Sequence, residues 1–221
     1  LSLILCTLWV MLVVSLSYSL SIREGHADTP IAATAADISP LGVGDAAPRF
    51  AVRAPTGETV EFNPRTLERP AIIITFRGGW CPFCNMHLSE LRKVIPEIGA
   101  LDVDVMFLSG DRPDRLYSSL EAETREDIAG RGYSIYSDAD AHAAIAFGIA
   151  FKASDRTIDR RHQNAQDIEG SSMAKFGVLP VPAVFAIDTD GVIQFAYANP
   201  DYKVRVPADE LLELAVSMAG P

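Results

Sequence analysis

The chain has 221 residues, 48% of them apolar and 22% charged, which is enough to bury a core and too polar for a polytopic membrane protein. Nineteen basic and 29 acidic side chains leave a formal net charge of −10, which repels a phosphate backbone, so no nucleic-acid partner is expected. Three cysteines are too few for a disulfide-framed fold.

Residues 1–22 carry no charge and are long enough, at about 1.5 Å per residue, to cross a bilayer core of about 30 Å. Residues 1–27 therefore read as a cleaved export signal or an uncleaved N-terminal membrane anchor. The length favours an anchor, whereas Gly25 and Ala27 offer small residues for cleavage. Either way the remainder is expected to be exported, to the periplasm or another extracytoplasmic space. Cys6 follows large Leu5 and does not read as a lipidation site. Residues 28–45, small, polar and Pro/Gly-rich, read as a linker, and residues 46–221 as one folded domain.

Within that domain, 49–52 and 59–62 flank Pro55-Thr56-Gly57 and predict a β-hairpin. The unbroken apolar run 71–76 predicts a strand covered on both faces. A helix should start at Pro82, with Cys84, Leu88, Leu91 and Ile95 inward, and end or kink at Pro96. Next come a strand at 103–108 and a polar helix over 113–129 with Leu116, Leu120 and Ile128 inward, stopped by Gly130. A short strand at 133–136 precedes a helix capped by Asp138 and running to about Phe147. Residues 151–179 read as irregular. Strands at 183–187 and 192–197 pair across Asp188-Thr189-Asp190-Gly191, and a last helix opens at Pro207. Together these predict an α/β fold, a mixed sheet flanked by helices.

The strongest chemical signal is Trp80-Cys81-Pro82-Phe83-Cys84, where a buried strand becomes a helix. At a helix N-terminus, free N–H groups and the helix dipole favour a thiolate, which suits Cys81 as an attacking sulfur. Cys84, one turn on and facing the sheet, suits a resolving thiol. A structural disulfide would close so short a loop that it adds only about 2 kcal/mol. A structural zinc site wants four ligands, and there is no second C-x-x-C. Gly78 and Gly79 allow a sharp turn, Arg77 brings positive charge, and Trp80 and Phe83 offer an apolar contact. His87 reads as a surface helix residue. His162 is a candidate third ligand if Cys81 and Cys84 were to hold copper or zinc. No P-loop, dinucleotide fingerprint or Ser-His-Asp pattern calls for a cofactor.

A second signal, Leu179-Pro180-Val181-Pro182-Ala183, opens a strand with a proline. Together with FRGGWCPFC, FLSGD, YSIYSDADAHAAIAFGI and VPAVFAIDTDGVI, it makes the chain resemble the thioredoxin-like superfamily. The element order is closest to its peroxiredoxin (AhpC/TSA) branch and the R-G-x-W-C-P-x-C subgroup. The resemblance spans about residues 42–219. It implies a thioredoxin-like, peroxiredoxin-type fold with an N-terminal β-hairpin and a cis Val181–Pro182 bond. Val181, Pro182 and Ala183 would then bind substrate opposite Cys81. Ile74 and Gly78 stand where typical peroxiredoxins carry Pro and Thr, so the hydroxyl that would orient a peroxide is missing. The implied function is a thiol–disulfide oxidoreductase or peroxiredoxin-like antioxidant protein with Cys81 as nucleophile and Cys84 resolving. The alternatives are a hydroperoxidase working through a Cys81 sulfenic acid, or a metal binder. Expected partners are thiols, disulfides or hydroperoxides, and a thioredoxin-type reductant. An uncleaved residues 1–22 would add a membrane.

Overall fold

The computed structural model describes residues 30–128, 134–164 and 166–219. Residues 1–29, on which the export-signal and anchor readings rest, and Gly130, the expected helix stop, fall outside them. Among the described residues no helix is long and apolar enough to cross a membrane.

Seven strands form one mixed sheet. In chain order they are β1 (Phe50–Arg53), β2 (Thr59–Phe62), β3 (Ala71–Phe76), β4 (Asp104–Ser109), β5 (Ser134–Ser137), β8 (Ala183–Ile187) and β9 (Ile193–Ala198). Across the sheet they run β2-β1-β5-β4-β3-β8-β9. β3, β4 and β5 are parallel, while β8 runs antiparallel to β3 and β9 to β8. β6 (Ala150–Lys152) and β7 (Val178–Pro180) make a separate antiparallel pair.

β3 shows why the apolar run had to be central, since all six residues are buried. Side chains alternate across a strand, so Ile72, Ile74 and Phe76 feed one core while Ala71 and Ile73 feed the other. On the first face lie α1 (Pro82–Leu91), α2 (Ile95–Ala100) and α7 (Ala208–Met218), through Cys84, Leu88, Leu91, Ile98, Leu211 and Ala215. On the second lie the β1–β2 hairpin and α4 (His142–Ala146), through Phe50, Phe62 and Ala143, with Phe147 stacked on Phe185.

Three expected elements differ. The first cysteine helix ends at Leu91, and Pro96 sits in the first turn of α2, where its missing N–H costs nothing. The predicted 113–129 helix divides into a 3₁₀ turn (Pro113–Arg115) and α3 (Ala122–Ile128). Between them the Ser119 hydroxyl donates to Asp111 and the Glu121 amide to Asn85, which pulls the chain off a helical path. Leu116, Leu120 and Ile128 are nonetheless buried. Residues read as irregular contain β6, α5 (Asp155–Gln163), α6 (Ser172–Phe176) and β7. α5 buries no residue and so shows no apolar stripe, although Ser154 and Ser171 cap α5 and α6.

The described part of the segment read as a linker runs along the second core. Ala32 exchanges hydrogen bonds with Ala150 and Lys152, and the Ser39 and Leu41 amides donate to Gly148 and Phe147. Ile31, Ala35, Ile38 and Leu41 pack beneath it. Gly148 makes this approach possible: its φ is +70°, and a Cβ would lie 2.1 Å from the Ser39 carbonyl oxygen. Gly148→Ala is expected to cost about 1–3 kcal/mol and to free residues 30–41. Limited proteolysis should then cut the variant there and leave the native segment intact.

Candidate active site

β3 ends at Phe76 and the chain turns through Arg77, Gly78 and Gly79 into α1. Gly78 has φ +150°, and a Cβ there would meet Trp80 Nε1 at 2.4 Å and Asp111 Oδ1 at 2.7 Å. A Cβ on Gly79 would meet Ser119 Oγ at 2.3 Å, so both glycines are required by space, and Gly78 by its positive φ as well. Two buried polar side chains fix the turn. Asp111 Oδ2 accepts from the Gly79 amide at 2.8 Å and from Ser119 Oγ at 2.8 Å. Asn85 Nδ2 donates to the Gly79 carbonyl at 2.6 Å and to the Cys81 carbonyl at 3.2 Å, while its Oδ1 accepts from the Glu121 amide. Neither residue emerged from the sequence reading. The only traces were a polar residue inside the apolar stripe of α1 and an aspartate at the carboxyl end of a central strand.

Cys81 is the N-cap of α1, and Pro82 opens the helix. The amides of Cys84 and Asn85 close the first turn on the Cys81 carbonyl. Both thiols are free, Cys81 is 2% and Cys84 1% exposed, and the two residues approach within 3.0 Å. The pair is electrostatically asymmetric. The Cys84 side chain donates to Cys81 and brings its thiol down to about 6, against the opposing effect of burial. The Cys84 amide, part of the helix start, and the charges of Arg77 and Arg205 help. Burial pushes the Cys84 thiol well up, and its contact with Cys81 adds to that. One sulfur ionises readily while the other keeps its proton.

Arg205, from the loop before α7, places Nη2 3.4 Å from Cys84 Sγ. The Arg77 guanidinium lies 4.7 Å from the Tyr202 ring centroid and 5.3 Å from that of Trp80. Arg161 covers Trp80 at 4.8 Å, and Phe83 meets Tyr202 edge-on at 5.6 Å. Gln166 ties the 155–170 excursion to this site by donating to the Trp80 carbonyl at 3.1 Å.

His87 is a correction. It is 7% exposed, and its Nε2 lies 2.9 Å from the Val206 carbonyl, which can only accept, so Nε2 carries the proton. This bond holds the segment bearing Arg205 against the cysteine helix. Burial pushes the imidazole down to about 4.

The Val181–Pro182 peptide is a second correction: no peptide bond among the described residues is cis. Thr75 Oγ1 donates to the Val181 carbonyl at 3.0 Å and accepts from the Ala183 amide at 3.1 Å, bridging the position where Pro182 has no N–H. The Val181 amide donates to Ile149, and the Pro182 carbonyl accepts from Asn199. These polar groups are thus bonded within the protein. His162 is exposed on α5, and no three His, Cys, Asp or Glu side chains among the described residues are grouped to hold a metal. A cavity of about 450 Å³ between the hairpin, β4 and α2 is lined by neither cysteine.

The AhpC/TSA family model matches residues 43–196 of the chain. The chain belongs to the AhpC/TSA family. Peroxiredoxin Bcp of Escherichia coli (strain K12) is 25% identical over 177 residues, covering 79% of this chain and 96% of that protein. Thiol-disulfide oxidoreductase ResA of Bacillus thuringiensis subsp. konkukian (strain 97-27) is 22% identical over 153 residues, 69% of this chain and 68% of its own. The crystal structure of a peroxiredoxin-like protein from Aquifex aeolicus superposes with a TM-score of 0.60 at 19% identity, over 81% of this chain and 89% of that one. This AhpC/TSA chain thus has the peroxiredoxin-like, thioredoxin-like α/β fold that its motifs implied.

Two measurements test the electrostatics of this AhpC/TSA site. Alkylation of Cys81 across pH should show a midpoint near 6. Cys84→Ala should raise that midpoint more than Arg205→Met does, because the Cys84 contact contributes most. For His87, the folded value of about 4 lies below the ordinary 6.5, so the unfolded chain binds the proton more readily. Its contribution to stability is lost as pH falls from 6.5 toward 4, by up to about 3 kcal/mol. Burial raises Asp138 to about 7, which acts in the opposite sense over the same range. The expected outcome is therefore a difference in unfolding free energy between native protein and His87→Gln that shrinks on acidification.

Proposed function

We propose that this chain is an oxidoreductase of thiols and disulfides in which Cys81 is the nucleophile and Cys84 the resolving thiol. One observation carries the reading: two cysteines within 3.0 Å, one with its thiol lowered to about 6 and the other pushed well above its usual range. The Cys81 thiolate attacks one sulfur of a disulfide, the S–S bond breaks, and the departing sulfur takes the electron pair. Cys84 then loses its proton, attacks the Cys81 sulfur of the mixed disulfide and expels the second thiolate. The substrate gains two electrons, and the cysteine pair becomes a disulfide that a thioredoxin-type reductant returns to two thiols. Arg77 and Arg205 support the thiolate, Gly78 and Gly79 deliver it, and Trp80, Pro82 and Phe83 frame it.

The AhpC/TSA membership and the likeness to a peroxiredoxin support a second reading, reduction of hydroperoxides. The thiolate attacks the terminal oxygen, the O–O bond breaks and an alcohol leaves. Cys84 then condenses with the Cys81 sulfenic acid to release water. The charge-free residues 1–22 support export of the chain.

Cys81→Ser is expected to abolish both reactions. Cys84→Ser should leave Cys81 able to attack but unable to release product, so mass spectrometry should find substrate covalently held on Cys81. Activity surviving in Cys81→Ser would overturn the assignment.

A further inference from the structure

Away from the sulfurs, Arg112 and Arg115 both form ion pairs with Asp167. Beside the cysteines the pattern reverses. Among the described residues neither Arg77 nor Arg205 forms an ion pair with a carboxylate. Arg77 Nε and Arg205 Nε and Nη1 are buried with no protein acceptor. Burying an unmatched guanidinium is costly, so a fold that keeps two together has a use for the charge. The thiolate is one use. Cys81 ionises while Cys84 stays protonated, so a single negative charge faces two positive ones and one remains uncompensated.

The geometry points to an anion subsite at Arg77 and Arg205, one that selects substrates carrying a carboxylate close to the S–S or O–O bond that Cys81 attacks. This rests on the oxidoreductase reading above. A guanidinium fork matches a carboxylate in shape and charge, and such charge-assisted hydrogen bonds are the stronger kind. Arg77 is pre-oriented by the two rings it lies against, so little side-chain freedom is lost on binding. Tyr202 is 38% exposed and Lys203 lies 5.9 Å from its ring, which continues the cationic surface outward. The net charge of −10 repels anions at long range, so a preference for an anion has to arise locally.

The test compares three disulfides on the reduced protein at about pH 8, where Cys81 is a thiolate: anionic dithiodipropionate, neutral hydroxyethyl disulfide and cationic cystamine. Dithiodipropionate should react about tenfold faster than hydroxyethyl disulfide, and cystamine slowest. Both rates use the same sulfur, so their ratio is independent of how much of it is ionised. Arg205→Met and Arg77→Met should each bring the ratio toward one, and added salt should do so in the native protein without any substitution. A short 3-hydroperoxy carboxylate, whose acid group lies as near the O–O bond as that of dithiodipropionate lies to its S–S bond, set against its methyl ester distinguishes a peroxide substrate from a disulfide one. A ratio of one or below in the native protein, or a ratio unchanged in both variants and by salt, overturns the subsite. Failure to reduce any of the five compounds overturns the oxidoreductase reading, and the subsite falls with it.

Discussion

A hydrogen bond between two sulfurs one helical turn apart governs the chemistry of this protein. Cys84 can donate to Cys81 only because α1 starts at Pro82 and its first turn closes on the Cys81 carbonyl. The donation stabilises charge on Cys81 and holds the proton on Cys84, so one contact separates the two thiols in acidity. The helix start assists through the Cys84 amide, but less than the neighbouring thiol does. The Cys81 thiol is therefore lowered mainly by its contact with Cys84.

That contact depends on a turn held rigidly from behind. Asp111 and Asn85, both almost fully buried, clamp the Gly79 peptide from its two ends. Burial pushes the Asp111 carboxyl above its ordinary range, and hydrogen bonds with the Gly79 amide, Ser119 and Ser109 oppose that shift. Asn85 also receives the Glu121 amide and Ser119 binds Asp111, so the segment before α3 is tied to the same turn. From the other side, His87 fastens the Arg205 segment to α1. The cations thus reach the sulfurs from parts of the chain more than a hundred residues apart, on a frame held by the hydrogen bonds of Asp111, Asn85 and His87.

Much of the fold follows from local pattern. The six-residue apolar run had to be a doubly covered strand, Pro82 had to open a helix, and Asp188 to Gly191 had to turn a hairpin, because each signal lies within a few residues of chain. Pattern reading failed where tertiary hydrogen bonds outweigh propensity. Ser119 and Glu121 break the predicted 113–129 helix, and Thr75 takes over the ladder position at Pro182. It also failed at α5, whose single apolar residue, Ile158, is too little to mark the side that packs on the core. His87 looked like a surface residue because nothing local announces that the Val206 carbonyl lies across from it.

The sequence by itself determined where the candidate centre lies: a C-x-x-C at a strand-to-helix junction, with glycines before it and a proline between, places Cys81 at a helix start. It also determined the layered α/β architecture, through the alternation of apolar runs. Only the tertiary structure decided that Arg205 reaches the sulfurs as Arg77 does, and which carboxyl and which amide hold the turn beside them. Those groups come from the ends of other strands and loops, and their convergence is a property of the packed sheet. The acidity of a thiol depends on what lies within a few ångströms of it, and after the Cys84 contact the charges that lower Cys81 are those of Arg77 across the turn and Arg205 from the far end of the chain.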